Sequence, residues 1–200
     1  MLIFYFFILV ISFSIIFLFS SPKLSPIPYF PSQPVDIPKI IKVLNLKNDQ
    51  IIFDLGAGDG IIIFGAAKSS FQNKLNTQFI AVEINPVLIL ILHLRRLFHP
   101  NRKNIKIVRD DIFRMNIKDQ ISNIKVTSQK SKIPNNETMK QFNNVTIYLY
   151  ISPWYLEKTI SNIKNQISKY SVVSYMYSIK SLKNKEKIIQ GKNSIFVYDF

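Results

Sequence analysis

The chain has 200 residues, 48% of them apolar, and a formal net charge of +14. That length holds one domain of ordinary size plus an appendage, and the apolar content excludes wholesale disorder. With no cysteine and only two histidines, His93 and His99, the chain cannot build disulfides, thiolate zinc sites or cysteine nucleophiles, and no metal site is expected.

The positive charge invites a nucleic-acid partner. The lysines, however, are scattered through an Ile-, Lys- and Asn-rich background rather than gathered in one patch. Attraction to anionic lipid headgroups explains such a surface equally well, at about 1 kcal/mol for each nearby Lys or Arg.

From Leu2 to Phe19 the chain reads LIFYFFILVISFSIIFLF, uncharged and interrupted only by two serines. About 20 apolar residues cross the hydrocarbon layer as a helix, so residues 1–20 are expected to form a transmembrane anchor. The competing reading is a cleaved signal peptide. It has against it an n-region without Lys or Arg, an overlong apolar stretch and no small-residue cleavage site. Positive residues begin at Lys23, Lys39 and Lys42, which places the following domain on the cytoplasmic side of the membrane. Residues 21–38 carry Pro22, Pro26, Pro28, Pro31, Pro34 and Pro38 and read as an extended connector.

Residues 39–200 then form the domain. A helix is expected over 38–46, a buried strand over 50–55, a glycine-rich loop over 56–60 and a helix over 61–69. A strand at 79–84, a helix at 86–98 and a strand at 104–110 follow. Residues 119–144 are polar and weakly periodic, and read as a flexible inserted loop. Next come a strand at 145–151, a helix at 155–168, a strand at 171–179 and two short strands near 187–190 and 194–200 that can pair as a hairpin. Alternating strands and helices predict an α/β fold: a Rossmann-like, doubly wound and mainly parallel sheet covered on both faces.

Four of the chain's five glycines, Gly56, Gly58, Gly60 and Gly65, fall within ten residues. The string Asp54-Leu55-Gly56-Ala57-Gly58-Asp59-Gly60 stands between a strand and a helix, where glycines permit positive φ and let backbone approach a ligand. Its G-x-G-x-G spacing differs from the dinucleotide fingerprint, and no Lys-Ser/Thr pair follows as in a P-loop. Carboxylates at Asp54 and Asp59 would repel a pyrophosphate but suit a cationic sulfonium with an amino-acid tail. The bland alternative is a tight strand-to-helix turn. Glu83, ending the second strand, suits hydrogen bonds from both ribose hydroxyls, against the alternative of an ordinary surface glutamate. Either Asp110 or Asp111 can accept from an adenine amino group, with Ile112 or Phe113 against the ring; such pairs also cap helices.

Together these residues resemble class I S-adenosylmethionine-dependent methyltransferases: IIFDLGAGDG their first motif, AVEINP the second, VRDDIF the acidic adenine-contacting turn. The resemblance covers about residues 29–200. It implies S-adenosylmethionine as cofactor, held by Asp54, Gly56, Gly58, Asp59, Gly60, Glu83, Asp111 and Ile112. A narrower pattern is an apolar segment, then PYFPSQ, DLGAGDG, VEINPVLI and a Y-x-x-P strand end. It is similar to small membrane-anchored protein-lysine methyltransferases, whose mitochondrial members modify the adenine nucleotide translocase and the ATP synthase c-subunit. That likeness implies a membrane-protein substrate and puts Tyr29, Phe30 and Pro31 near cofactor and substrate. The chain departs from the pattern at 119–144 and at Ile61, where relatives often carry Arg.

Ser152-Pro153-Trp154-Tyr155 is close to the (Asp/Asn/Ser)-Pro-Pro-aromatic signature of amino-group methyltransferases, although its second Pro is replaced. These four residues are the candidate acceptor pocket, with Tyr148 and Tyr150 as further lining. Alternatively Pro153 only ends the strand, and Trp154 and Tyr155 pack or sit at a membrane interface. No general base is evident, and His93 and His99 are assigned no role. Two rival functions remain: methylation of a nucleic-acid or amide amino group, and a membrane-tethered module that binds the cofactor without transferring its methyl group.

Overall fold

The computed structural model describes residues 1–20, 29–128 and 144–200, with the side chains of 2, 15–20 and 125–128 left aside. Within them, strands β1 (Gln50–Leu55), β2 (Gln78–Glu83), β3 (Ile105–Arg109), β4 (Asn144–Leu149), β5 (Ser171–Tyr175), β6 (Lys187–Gln190) and β7 (Ser194–Asp199) form one sheet. Their order is β3-β2-β1-β4-β5-β7-β6. Strands β1 to β5 run parallel, and β7 is antiparallel to both β5 and β6.

Every residue of β1 is buried, the signature of a central parallel strand covered on both faces. Its side chains alternate between two cores, as the two-residue period of a strand requires. Ile51, Phe53 and Leu55 enter one core, with Leu156, Ile160 and Ile163 of α6 (Pro153–Lys164). Ile52 enters the other, with Ile40 of α2 (Ile37–Val43), Ile63 and Ala67 of α3 (Ile61–Gln72) and Leu92 of α4 (Pro86–Leu97). Each fully buried side chain of this size contributes about 1.5–3 kcal/mol. Helix α4 starts where the sequence signals it: Pro86 takes the first turn, and the Asn85 side chain accepts from Val87 N at 2.9 Å.

Three expectations change. Where a loop was expected from residue 119, α5 (Ile117–Ser128) forms. Ile117, Ile121 and Ile124 recur at helical spacing and join the first core, while Lys118, Asp119, Ser122 and Asn123 stay exposed. The rest of that stretch, 129–143, lies outside the described residues. Residues 29–36 do not act as a detached connector: Ser32 and Asp36 are buried and tie this segment to the domain. Residues 21–28 lie outside the described residues.

The third concerns α1 (Leu2–Ser20). Its side chains from Ile3 to Phe13 are exposed, and Ser14 Oγ donates to Val10 O within the helix. A 19-residue helix rises about 28 Å, slightly under the ~30 Å hydrocarbon layer. Among the described residues, no helix is long and apolar enough to cross a membrane, so the expected spanning helix is not supported.

Candidate active site

The strand order reverses between β1 and β4, and a cleft opens beyond the carboxyl ends of these strands, where open α/β sheets bind ligands. The glycine loop forms its floor. Gly56, Gly58 and Gly60 all take positive φ, which L side chains adopt only with strain. Gly56 N and Ala57 N both donate to Val82 O at 2.9 Å, fastening the loop to the end of β2.

Gly58 and Gly60 need to be glycines for different reasons. A Cβ on Gly58 would stand 2.6 Å from the Tyr29 ring, so the backbone lies directly under a wall of the cleft. A Cβ on Gly60 would meet Leu92 at 2.5 Å and Phe64 at 2.8 Å. Gly60 does not line the cleft; it lets α3 start against α4.

Glu83 is buried, and both its carboxylate oxygens are used. Oε2 accepts from Gly58 N at 2.9 Å, and Oε1 accepts from Ile84 N at 2.8 Å and Asn85 N at 2.9 Å. It thereby fixes the glycine loop and the start of α4 while still facing the cleft, with lone pairs left to accept further donors. Asp59 also lines the cleft. Its Oδ2 meets Arg95 Nη1 at 2.8 Å, and Oδ1 accepts from Ile61 N at 3.2 Å.

Asp54, 3% exposed, lies at the end of β1 near the first turn of α3. Burial, then the charges of Glu83 and Asp59, push its pKa up to about 8, against a hydrogen bond from Ile63 N. Burial and the Asp59 carboxylate push the Tyr29 hydroxyl up to about 12. Asp110 and Asp111 complete the acidic wall: Asp110 Oδ1 accepts from Asp111 N at 2.7 Å, and Asp111 Oδ1 from Phe113 N at 2.9 Å. Ile112 and Phe113 provide the apolar surface beside them.

The cleft also has aromatic lining. Tyr29, Phe30, Tyr148 and Tyr150 line it, and Ser32 Oγ lies 3.1 Å from the Tyr148 hydroxyl. Burial raises the Tyr148 hydroxyl well above its ordinary range. Ser152, Pro153, Trp154 and Tyr155 are placed differently: none of the four lines the cleft. Ser152 stands at the N-cap position of α6 without a side-chain capping bond, Pro153 opens the helix, Trp154 is 85% exposed, and Tyr155 packs on Phe113 with ring centres 5.2 Å apart. The sequence reading missed Ile84 and Leu88 as lining and Arg95 as the partner of Asp59. Arg95 follows Asp59 by 36 residues, and no local pattern connects them.

No protein-family model and no curated protein matches this sequence. Solved structures do match its fold. An RNA methyltransferase from Salinibacter ruber, in complex with S-adenosyl-L-homocysteine, aligns over 85% of this chain and 93% of its own, at TM-score 0.63 and 16% identity. A precorrin-6y C5,15-methyltransferase from Geobacter metallireducens aligns over 84% and 91%, at TM-score 0.51 and 15% identity. A putative rRNA methylase from Clostridium thermocellum aligns over 86% and 100%, at TM-score 0.50 and 8% identity. The chain has the fold of these methyltransferases, and at such identities the likeness is one of fold.

Proposed function

We propose that the chain is an S-adenosylmethionine-dependent methyltransferase that modifies an amine. The observation carrying this reading is the charge of the cleft. In a protein of net charge +14, the described residues that line it include Asp59, Glu83, Asp110 and Asp111, together with the buried carboxyl of Asp54, and no Lys or Arg. That set of acceptors disfavours phosphate-bearing ligands and suits a cationic one with hydroxyl and amino donors.

Glu83 would hold the ribose hydroxyls, Asp110 or Asp111 the adenine amino group, Ile84 and Ile112 the ring, and the Gly56–Gly58 backbone with Asp54 the amino-acid end. Bound S-adenosylmethionine supplies an electrophilic methyl group on a sulfonium that is already a good leaving group. The chain's own residues therefore mainly have to position the acceptor and exclude water. Tyr29, Phe30 and Tyr150 line the cleft as aromatic partners for an alkylammonium, which must lose its proton before it attacks.

The acceptor we favour is a lysine side chain of a protein at or near a membrane. The uncharged run 2–19 attaches the enzyme there, with the domain on the cytoplasmic side. This rests on the exposed apolar side chains of α1, the positive residues that follow it, and the aromatic acceptor side. Pro153 and Trp154, exposed at the head of α6, are proposed to meet the substrate protein around the acceptor rather than the cofactor. A second reading, transfer to an RNA amino group, draws on the overall charge and on the RNA methyltransferases that share the fold.

Calorimetric titration of the full chain in detergent with S-adenosylmethionine, NAD and ATP tests the cofactor. Selective binding of the first is expected; no binding by folded protein overturns the reading. Transfer of labelled methyl to membrane proteins or to RNA separates the two acceptors, and binding without any transfer identifies a non-catalytic module.

A further inference from the structure

Between Asp59 and Asp110 the chain carries eight basic residues, Lys68, Lys74, Arg95, Arg96, Arg102, Lys103, Lys106 and Arg109, and one acid, the buried Glu83. Six of them, Lys68, Lys74, Arg95, Arg96, Arg102 and Lys103, lie on or just after helices α3 and α4 and form a basic layer with no exposed acid of its own, on the face of the sheet opposite α6. Lys106 and Arg109 belong to β3, and Lys106 donates to Gln120 of α5. Within this layer α4 is apolar on both sides. Leu88 and Leu92 point inward, but Leu90, Leu94 and Leu97, at i, i+4 and i+7, stand exposed along the outer face. Phe98, 84% exposed, continues this stripe. Phe71, at the end of α3, is exposed beside the same depression as Leu97 and Phe98, and Lys74, Arg102 and Lys103 rim it.

Exposed leucines at helical spacing, terminal aromatic side chains and a cationic rim are what an interfacial helix presents to a bilayer. We propose that the outer face of α4, with Phe71 and Phe98, is a docking surface for an anionic lipid membrane: the apolar side chains enter the headgroup region and Lys74, Arg96, Arg102 and Lys103 meet lipid phosphates. Charge complementarity selects an anionic surface, and the three aliphatic side chains, which cannot stack on bases, select lipid over nucleic acid. The surface is separate from α1 and requires no methyl transfer.

The chain contains no cysteine, so one introduced cysteine gives a unique probe site. In the full chain, an environment-sensitive fluorophore is attached at Leu94→Cys, at Phe98→Cys, or at Lys164→Cys on α6 as control. Vesicles are of phosphatidylcholine alone or with phosphatidylserine, and carry brominated acyl chains as quenchers; co-sedimentation reports attachment through α1 independently. With phosphatidylserine, the probes at 94 and 98 should shift to the blue and be quenched, while the probe at 164 stays as in water. Each of Arg102→Glu and Lys103→Glu should weaken the docking about fivefold or more, and raised salt should reverse it. Co-sedimentation with the probes at 94 and 98 still in water overturns the proposal. So does a lipid-free shift that grows with protein concentration, which identifies a second copy, or an equal shift on adding RNA.

Discussion

Gly58 N donates to Glu83 Oε2 at 2.9 Å, linking the middle glycine of the loop after β1 to the carboxylate that ends β2. One side chain therefore shapes the cleft floor and faces the ligand. Glu83→Gln keeps the size but turns an amide N–H₂ toward backbone donors, leaving at least one buried N–H unpaired. A cost of about 1–3 kcal/mol is expected in stability. Affinity for S-adenosylmethionine should fall tenfold or more, as read by calorimetry beside a urea melt. Unchanged affinity would refute the placement of the cofactor.

Asp54 predicts a pH dependence of opposite sign to that of an ordinary paired carboxylate. Its folded pKa is raised from 3.8 to about 8, so between those values the folded protein holds a proton the unfolded chain has released. Stability should fall as pH rises through that window, by up to about 1.4 kcal/mol per unit, and level off above it. Asp54→Asn should remove this slope and be the more stable protein at pH 9, yet bind the cationic cofactor less well. Urea melts at pH 6 and pH 9 with parallel titrations check both halves.

Gly58→Ala tests the close approach of loop and wall. The residue sits at φ +58°, and the added methyl would stand 2.6 Å from the Tyr29 ring. The left-handed conformation alone costs about 1–2 kcal/mol, and displacing the ring should cost cofactor affinity besides. Combining it with Tyr29→Ala should return part of the stability, a non-additivity measured by a double-mutant cycle.

Asp36 anchors the wall from a distance. It is fully buried and accepts from the Tyr175 hydroxyl at 2.7 Å, Lys192 N at 2.6 Å and Asn193 N at 2.9 Å. Burial acts to raise its pKa, but these hydrogen bonds outweigh it and hold the carboxyl below its ordinary value. Its contribution is therefore present above the unfolded pKa and lost as pH falls through the folded one. Asp36→Ala should destabilise the domain by about 1–3 kcal/mol per donor left unpaired, and weaken cofactor binding although residue 36 does not touch the cleft. Intact affinity would show that the wall stands without it.

The parallel strands and the glycine loop were legible because their signals are local. Apolar runs such as IIFDL and FIAVE specify buried strands, and three glycines at alternate positions specify a backbone that needs positive φ. Helix α5 was hidden because Ile117, Ile121 and Ile124 are diluted by polar residues, so burial was visible only once the neighbouring α6 was in place. Of the residues named from motifs, Asp54, Gly56, Gly58, Asp59, Glu83, Asp111 and Ile112 share one cleft. Gly60 supports it sterically, and Ser152 to Tyr155 stand outside it. The ties of Arg95 to Asp59 and of Asp36 to Asn193 span 36 and 157 residues and leave no trace in any window of sequence.

Those long spans bear on the order of folding. Ser32 meets Tyr148 across 116 residues, and Asp36 meets Asn193 across 157. Contacts so distant close late, since each must await the loop between its ends. The glycine loop can form with β1, α3 and β2, but the long-range ties of the Tyr29–Asp36 segment form only when β4, β5 and the turn before β7 are in place. The cleft is thus a late product of folding, and a ligand that needs that segment binds a finished sheet and stabilises it by mass action.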